Sequence, residues 1–153
     1  MASLKVSREP SSSESRWAFV LFIVCLAFNY WGVTVGWQNK NLPGVEFRQA
    51  QTALSTYWIH ADNDFSLAYP TPVLGKPWSI PMEFPLYQWT VAVVSKVTNW
   101  SITKAGRAVS IACFYLSLPA IFLLLRRWNQ AVAWRWLFLS IVVTCPLYIF
   151  YTR

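Results

Sequence analysis

Apolar and polar positions alternate in blocks along this chain, and the blocks set the elements. Residues 1–16 are polar and Ser-rich, with Lys5, Arg8 and Arg16 set against Glu9 and Glu14, and read as a solvated tail. Residues 17–37 (WAFVLFIVCLAFNYWGVTVGW) carry no charge and match the roughly 20 residues needed to cross the hydrocarbon core as a helix. Trp17 and Trp37 bracket the run as interface anchors. The run is longer than the apolar core of a signal peptide, and no small-residue cleavage site follows it, so an uncleaved span is expected. Residues 108–125 (AVSIACFYLSLPAIFLLL) form a second span, closed by Arg126 and Arg127, and about 134–151 a third. Pro119 and Pro146 are tolerable inside spans, where neighbouring helices satisfy the freed carbonyls.

Between the first and second spans lies a stretch of another kind, 38–107. In 47–59, Phe47, Ala50, Leu54, Tyr57 and Trp58 recur at three- and four-residue spacing, with Arg48, Gln51, Thr52 and Ser55 opposite, which predicts a helix. Pro43-Gly44 punctuates its start. Residues 61–83 show no period and are expected to be irregular, with the residues before Pro70 and Pro72 biased to extended geometry. In 84–100 the apolar core is brief and broken by Lys96, while Gln88, Ser95 and Asn99 fall near one face. An interfacial helix is favoured there over a spanning one.

Composition agrees with the blocks. Apolar residues make up 56% of the 153, charged residues 12%, and there are ten tryptophans, which puts the chain in the membrane class. The formal charge of +7 is scattered among the ends of apolar runs rather than gathered on a patch, so nucleic acid is not an expected partner. The basic tail places the N-terminus in the cytoplasm and 38–107 on the outer side. If 84–100 does not cross, Arg126, Arg127 and Arg135 face the cytoplasm, with Lys104 and Arg107 the fewer charges outside. The expectation is an all-α, polytopic membrane protein: a cytoplasmic tail 1–16, about three transmembrane helices (17–37, 108–125, 134–151) and a large outer loop 38–107 with juxtamembrane helices. Cys25, Cys113 and Cys145 each sit in an apolar run and predict neither a disulfide nor a metal site.

The loop concentrates what chemistry the chain has. Residues 46–89 hold four of the six carboxylates (Glu46, Asp62, Asp64, Glu83), the single histidine, His60, and five of nine prolines. A long, aromatic, Pro-punctuated loop is more often functional than merely connective. Glu46 and Glu83 stand beside apolar residues, a setting that raises a carboxylate's pKa and suits a base. Arg48 offers a planar fork for phosphate or carboxylate, and Lys76 a point charge. The plainer readings are a solvated helix start for Glu46 and Arg48, turn residues for Asp62 and Asp64, and a helix-end residue for His60. Asn99-Trp100-Ser101 matches a glycosylation sequon, a weak signal. Spacing alone gives a membrane protein with a structured outer loop, and no reaction.

The phrases EFRQAQTA, YPTPVLGKPW and EFPLYQW, followed by GRAVSIACFYLSLPAIFLLLRRW and CPLYIFYTR, resemble the integral-membrane, polyprenyl-phosphate-sugar-dependent glycosyltransferases of GT-C fold. That group includes protein O-mannosyltransferases, the aminoarabinose transferase acting on lipid A, and rhizobial lipopolysaccharide galacturonic-acid transferases. The resemblance covers about 17–153, corresponding to the first third or so of such an enzyme, so the chain is expected to be an N-terminal fragment, inactive alone. Val45-Glu46-Phe47-Arg48 occupies the place of the family's acidic motif, with Val45 where an aspartate often stands. In Glu83-Phe84-Pro85-Leu86-Tyr87-Gln88-Trp89, the residues Pro85, Leu86, Tyr87 and Trp89 match a later motif, and Glu83 replaces its lysine.

The resemblance implies transfer of a sugar from an undecaprenyl- or dolichyl-phosphate carrier to a glycan, lipid or protein acceptor at the outer face of the membrane, a bacterial inner membrane by the closest subgroup. It implies Glu46 as base, and Arg48, Gln49, Glu83 and Tyr87 as substrate-binding residues. Some members use a divalent metal, for which the resemblance makes Glu83 a candidate ligand, and others do not; the sequence itself specifies no cofactor. The alternative is a non-catalytic small membrane protein or transporter-like piece whose loop binds a partner.

Overall fold

The computed structural model describes residues 12–37, 46–69 and 83–152, with the side chains of 46–48 outside that description. The described residues are helical, in the order α1 (Ser12–Thr34), α2 (Glu46–Asp62), α3 (Leu86–Thr98), α4 (Ile102–Arg127), α5 (Val132–Thr144) and α6 (Pro146–Thr152). No strand occurs among them, so the all-α expectation holds. Two helices are long and apolar enough to cross a membrane, Ser12–Thr34 and Ile102–Arg127. At 1.5 Å per residue they measure roughly 34 and 39 Å, more than the hydrocarbon thickness requires.

Both begin before the apolar runs that announced them, at 12 rather than 17 and at 102 rather than 108. Ser12, Ser13 and Glu14 favour a helix start, and Glu14 lies in the positive first turn. The expected third span, 134–151, is not one helix. α5 and α6 together pass the same length and hydropathy test but are bent by 57°. Pro146 explains the break. It disfavours helical geometry at the residue before it, and Cys145 is extended (φ −60°, ψ 119°).

The chain divides into two compact units, residues 1–35 with 113–152, and residues 36–112. In the first, α1 lies along α5. Phe22, Leu118, Leu139 and Val143 form the buried centre, ringed by Leu26, Phe114, Ile121 and Trp136. Trp136 gathers aromatic rings: Phe122, Phe19 and Phe22 lie at centroid distances of 4.7, 5.0 and 5.2 Å. Asn29, fully buried on α1, is the polar group of this centre. Its Nδ2 donates to the Val143 carbonyl at 2.7 Å, and its Oδ1 accepts from the Tyr115 hydroxyl at 2.8 Å. The Val143 carbonyl lies in the last turn before the break, where no onward helix supplies a donor. Asn29 takes the place of that donor.

In the second unit α2 packs on α3 around Ile59, Tyr69, Ala92 and Trp89. α3 joins the start of α4 through Val91, Ala105 and Val109. Asn63 and Asn99, just past α2 and α3, adopt left-handed backbone (φ 56° and 55°), a common way to end a helix without glycine. The Ser95 hydroxyl donates to the Trp100 carbonyl at 2.7 Å and closes the α3–α4 corner. The buried Arg107 donates from Nη1 to the carbonyls of Gly36 and Trp37 at 2.9 and 3.0 Å.

Candidate functional site

The residues singled out in the loop fall on two helices of the second unit. Glu46, Arg48 and Gln49 make up the first turn of α2. The side chains of Glu46 and Arg48 lie outside the described residues, as do Lys76 and the YPTPVLGKP stretch from Pro70 onward. Gln49 is exposed.

The second motif is better defined. Glu83 is exposed, and its backbone is gripped by one side chain. The Tyr69 hydroxyl donates to the Glu83 carbonyl at 2.9 Å and accepts from the Glu83 N–H at 3.3 Å. Tyr69 is itself almost wholly buried. One phenol thus fixes the approach to α3 by satisfying both polar groups of a single residue. Phe84 packs edge-on against Trp89, centroids 5.7 Å apart. Pro85 stands at the helix entry, its carbonyl accepting from the Trp89 N–H at 2.8 Å.

Tyr87 points to α4. Its hydroxyl donates to the Gly106 carbonyl at 3.0 Å and lies 3.2 Å from the Ser110 Oγ. Gly106 leaves room for this approach: a Cβ there would stand 3.2 Å from the Tyr87 oxygen, and the phenol would have to give by a few tenths of an ångström. The motif residues Tyr87 and Pro85 therefore shape the α3–α4 corner, and the tyrosine donor is engaged within it. Glu83 and Tyr87 are brought to one short strap.

The acidic run HADND behaves as turn chemistry. Asp62 is the last residue of α2, and the Asp64 carboxylate accepts from the Ser66 N–H at 2.9 Å. Lys96, which interrupts the apolar core of α3, donates to Asn63 Oδ1 at 2.7 Å and stands over the Phe65 ring at 5.7 Å. Among the described residues no three His, Cys, Asp or Glu side chains gather to hold a metal ion. The donor set for a divalent metal is not assembled from them.

Sequence reasoning passed over three features. Asn29 was detectable as an amide within an uncharged run, a type of residue that in a span faces the protein. Tyr69 and Arg107 gave no comparable signal, because each depends on a backbone carbonyl brought close only by folding. Searches of protein-family models, curated proteins and solved structures find no match to this chain.

Proposed function

We propose that this chain supplies the N-terminal part of a membrane-embedded glycosyltransferase that moves a sugar from a polyprenyl-phosphate carrier to a glycan, lipid or protein acceptor. The observation that carries the reading is the pair of loop motifs, EFRQAQTA opening α2 and EFPLYQW leading into α3, in a chain with two helices fit to span a membrane. In this reading Glu46 deprotonates the acceptor hydroxyl. Arg48, with Lys76, balances the charge on the departing polyprenyl phosphate. Gln49 and Glu83 position the sugar, and Tyr87 holds the strap that carries Glu83 against α4. The bent pair α5–α6 serves as the third crossing. The N-terminus and the α4–α5 corner then share the cytoplasmic side, and 38–107 lies outside with α2 and α3 as its juxtamembrane helices.

The test is glycosyl transfer by the full-length enzyme in membranes, with a radiolabelled polyprenyl-phosphate sugar. Glu46→Gln keeps the size and removes the base, and transfer is expected to fall roughly 100-fold or more. Transfer at the unsubstituted rate in both Glu46→Gln and Arg48→Ala sinks the catalytic assignment.

A second reading is favoured by the engagement of Tyr87 with Gly106 and Ser110. Here the strap is structural, and the chain is a non-catalytic membrane protein whose loop binds a partner. It predicts that substitutions at Tyr87 alter folding and leave no trace in any transfer assay.

A further inference from the structure

Helices α2 and α3 of the second unit bury polar side chains among their inward apolar residues and turn aliphatic and aromatic ones outward. On α3 the 3.6-residue turn puts Gln88, Val91, Ala92 and Ser95 on one stripe, and Leu86, Thr90, Val93 and Val97 on the opposite one. The inward stripe carries the amide and the hydroxyl: Gln88 is 4% exposed, and its Oε1 has no hydrogen-bond partner. The outward stripe carries the aliphatic groups, with Leu86 62% and Val97 78% exposed. α2 repeats the pattern. Ser55 and Thr56 turn inward beside Ile59, while Leu54, Tyr57 and Trp58 face out, Tyr57 at 53%.

A water-facing helix would be turned the other way. Rotating α3 by half a turn would hydrate the orphan Gln88 oxygen and bury Leu86, Val93 and Val97 while exposing Val91 and Ala92, a net gain of buried aliphatic area in an aqueous surrounding. The observed orientation is favoured only where the outside is less polar than the inside, which is the rule for polar residues of membrane-embedded helices. The aromatic residues on the outward face are of the kind enriched where hydrocarbon meets headgroups. The lipid is also at hand. α3 runs through a three-residue corner into Ile102–Arg127, a helix long and apolar enough to span, and the first part of that helix belongs to the same unit.

We infer that the outward stripes of α2 and α3, marked by Leu54, Tyr57, Trp58, Leu86, Val93 and Val97, are immersed in the acyl-chain boundary of a lipid bilayer. The loop unit is thus lodged in the membrane surface and is not a water-washed domain standing above it. A helix resting on the interface with Gln88 and Ser95 in water would have the opposite rotation. The inference depends on membrane residence of α4 and is independent of glycosyl transfer.

Site-directed spin labelling tests it on the full chain, with Cys25, Cys113 and Cys145 replaced by alanine, in liposomes of phosphatidylethanolamine and phosphatidylglycerol. Labels go at Leu54→Cys, Val93→Cys and Val97→Cys, with Ser95→Cys as the inward control and Asn129→Cys, in the α4–α5 corner, as the water control. Retained helical circular dichroism qualifies each variant. At the three outward positions, collisions with oxygen are expected to exceed those with a water-soluble nickel chelate about threefold, the reverse of Asn129→Cys. Chelate collisions matching Asn129→Cys would put the stripes in water and overturn the inference. Low collision with both reagents, as at Ser95→Cys, would show a protein cover, from further segments or a second copy, and would overturn it equally.

Discussion

Asn29 and Gly106 are the two residues whose replacement should be most informative. Asn29→Leu keeps the volume but removes the donor to Val143 and the acceptor for Tyr115. Hydrogen bonds between membrane helices are worth about 0.6 kcal/mol on average and at most about 1.7. A loss of about 1–2 kcal/mol is expected, read as a shift in the unfolding midpoint in mixed micelles. Tyr115→Phe removes one of the two bonds and should cost about half as much. At Gly106 the contact is steric. Gly106→Ala places a methyl 3.2 Å from the Tyr87 oxygen, so the phenol must yield by a few tenths of an ångström or lose its bond to the residue 106 carbonyl. The substitution should cost about 1 kcal/mol beside tyrosine and clearly less beside Tyr87→Phe. Equal costs in the two backgrounds would show that Tyr87 is not the residue Gly106 makes room for.

At the scale of the element, the broken pair α5–α6 is the sharpest case. Pro146→Ala restores an N–H and allows helical geometry at Cys145. The two segments are expected to move toward one helix, and electron–electron distances between labels at Phe138 and Tyr151 should lengthen accordingly. The Val143 carbonyl would then receive a backbone donor, so Asn29→Leu should cost about half as much in the Pro146→Ala background, where only the Tyr115 bond is lost. Elements were also where the sequence was most and least informative. Apolar runs located α1, α4 and α5 because burial in hydrocarbon needs an uninterrupted length, yet they missed the helix starts at Ser12 and Ile102. Helix formation ends with capping and propensity, whereas the apolar run ends with the bilayer. The three- and four-residue spacing in 47–59 gave α2 correctly as a helix, seen over Glu46–Asp62. Spacing says that a helix has two faces. Which of them turns inward depends on the surrounding solvent, and the usual assumption of water points the wrong way for both α2 and α3. Proline inside an apolar run was equally ambiguous: Pro119 is carried within α4, while Pro146 breaks its segment.

At the scale of the whole molecule, the reading of three crossings predicts a sidedness. A membrane-impermeant thiol reagent should reach Asn129→Cys and Ala2→Cys, each in a chain without its native cysteines, only from the cytoplasmic side. If 84–100 crossed as well, Asn129→Cys would react from the opposite side to Ala2→Cys, and the assignment of 38–107 as one outer loop would fail. The candidate site was legible only in part at this scale. The motif residues Glu83 and Tyr87 do fall on one strap, because the three positions between them lead straight into a helix. The partners that hold the strap, Tyr69 and Gly106, come from 14 residues upstream of Glu83 and 19 residues downstream of Tyr87. Each opens one of the phrases that carry the resemblance, yet nothing in those phrases pairs it with the strap, and closures of this kind depend on the tertiary fold rather than on local pattern.

The bond from Asn29 to Val143 has a mechanical side. α6 is a seven-residue arm set at an angle to α5, and its Ile149 rests against Gly32, three residues along α1 from Asn29. Gly32 acts as a bearing and Asn29 as a latch one turn away. A displacement of α6 has no continuous helix through which to dissipate. It passes to the extended residue Cys145, then to the Val143 carbonyl, and from there through the asparagine to Tyr115 on α4. The polar route from α6 to the middle of α4 therefore runs through a single amide, beside the direct packing of Tyr148 on Phe114 (centroids 6.1 Å).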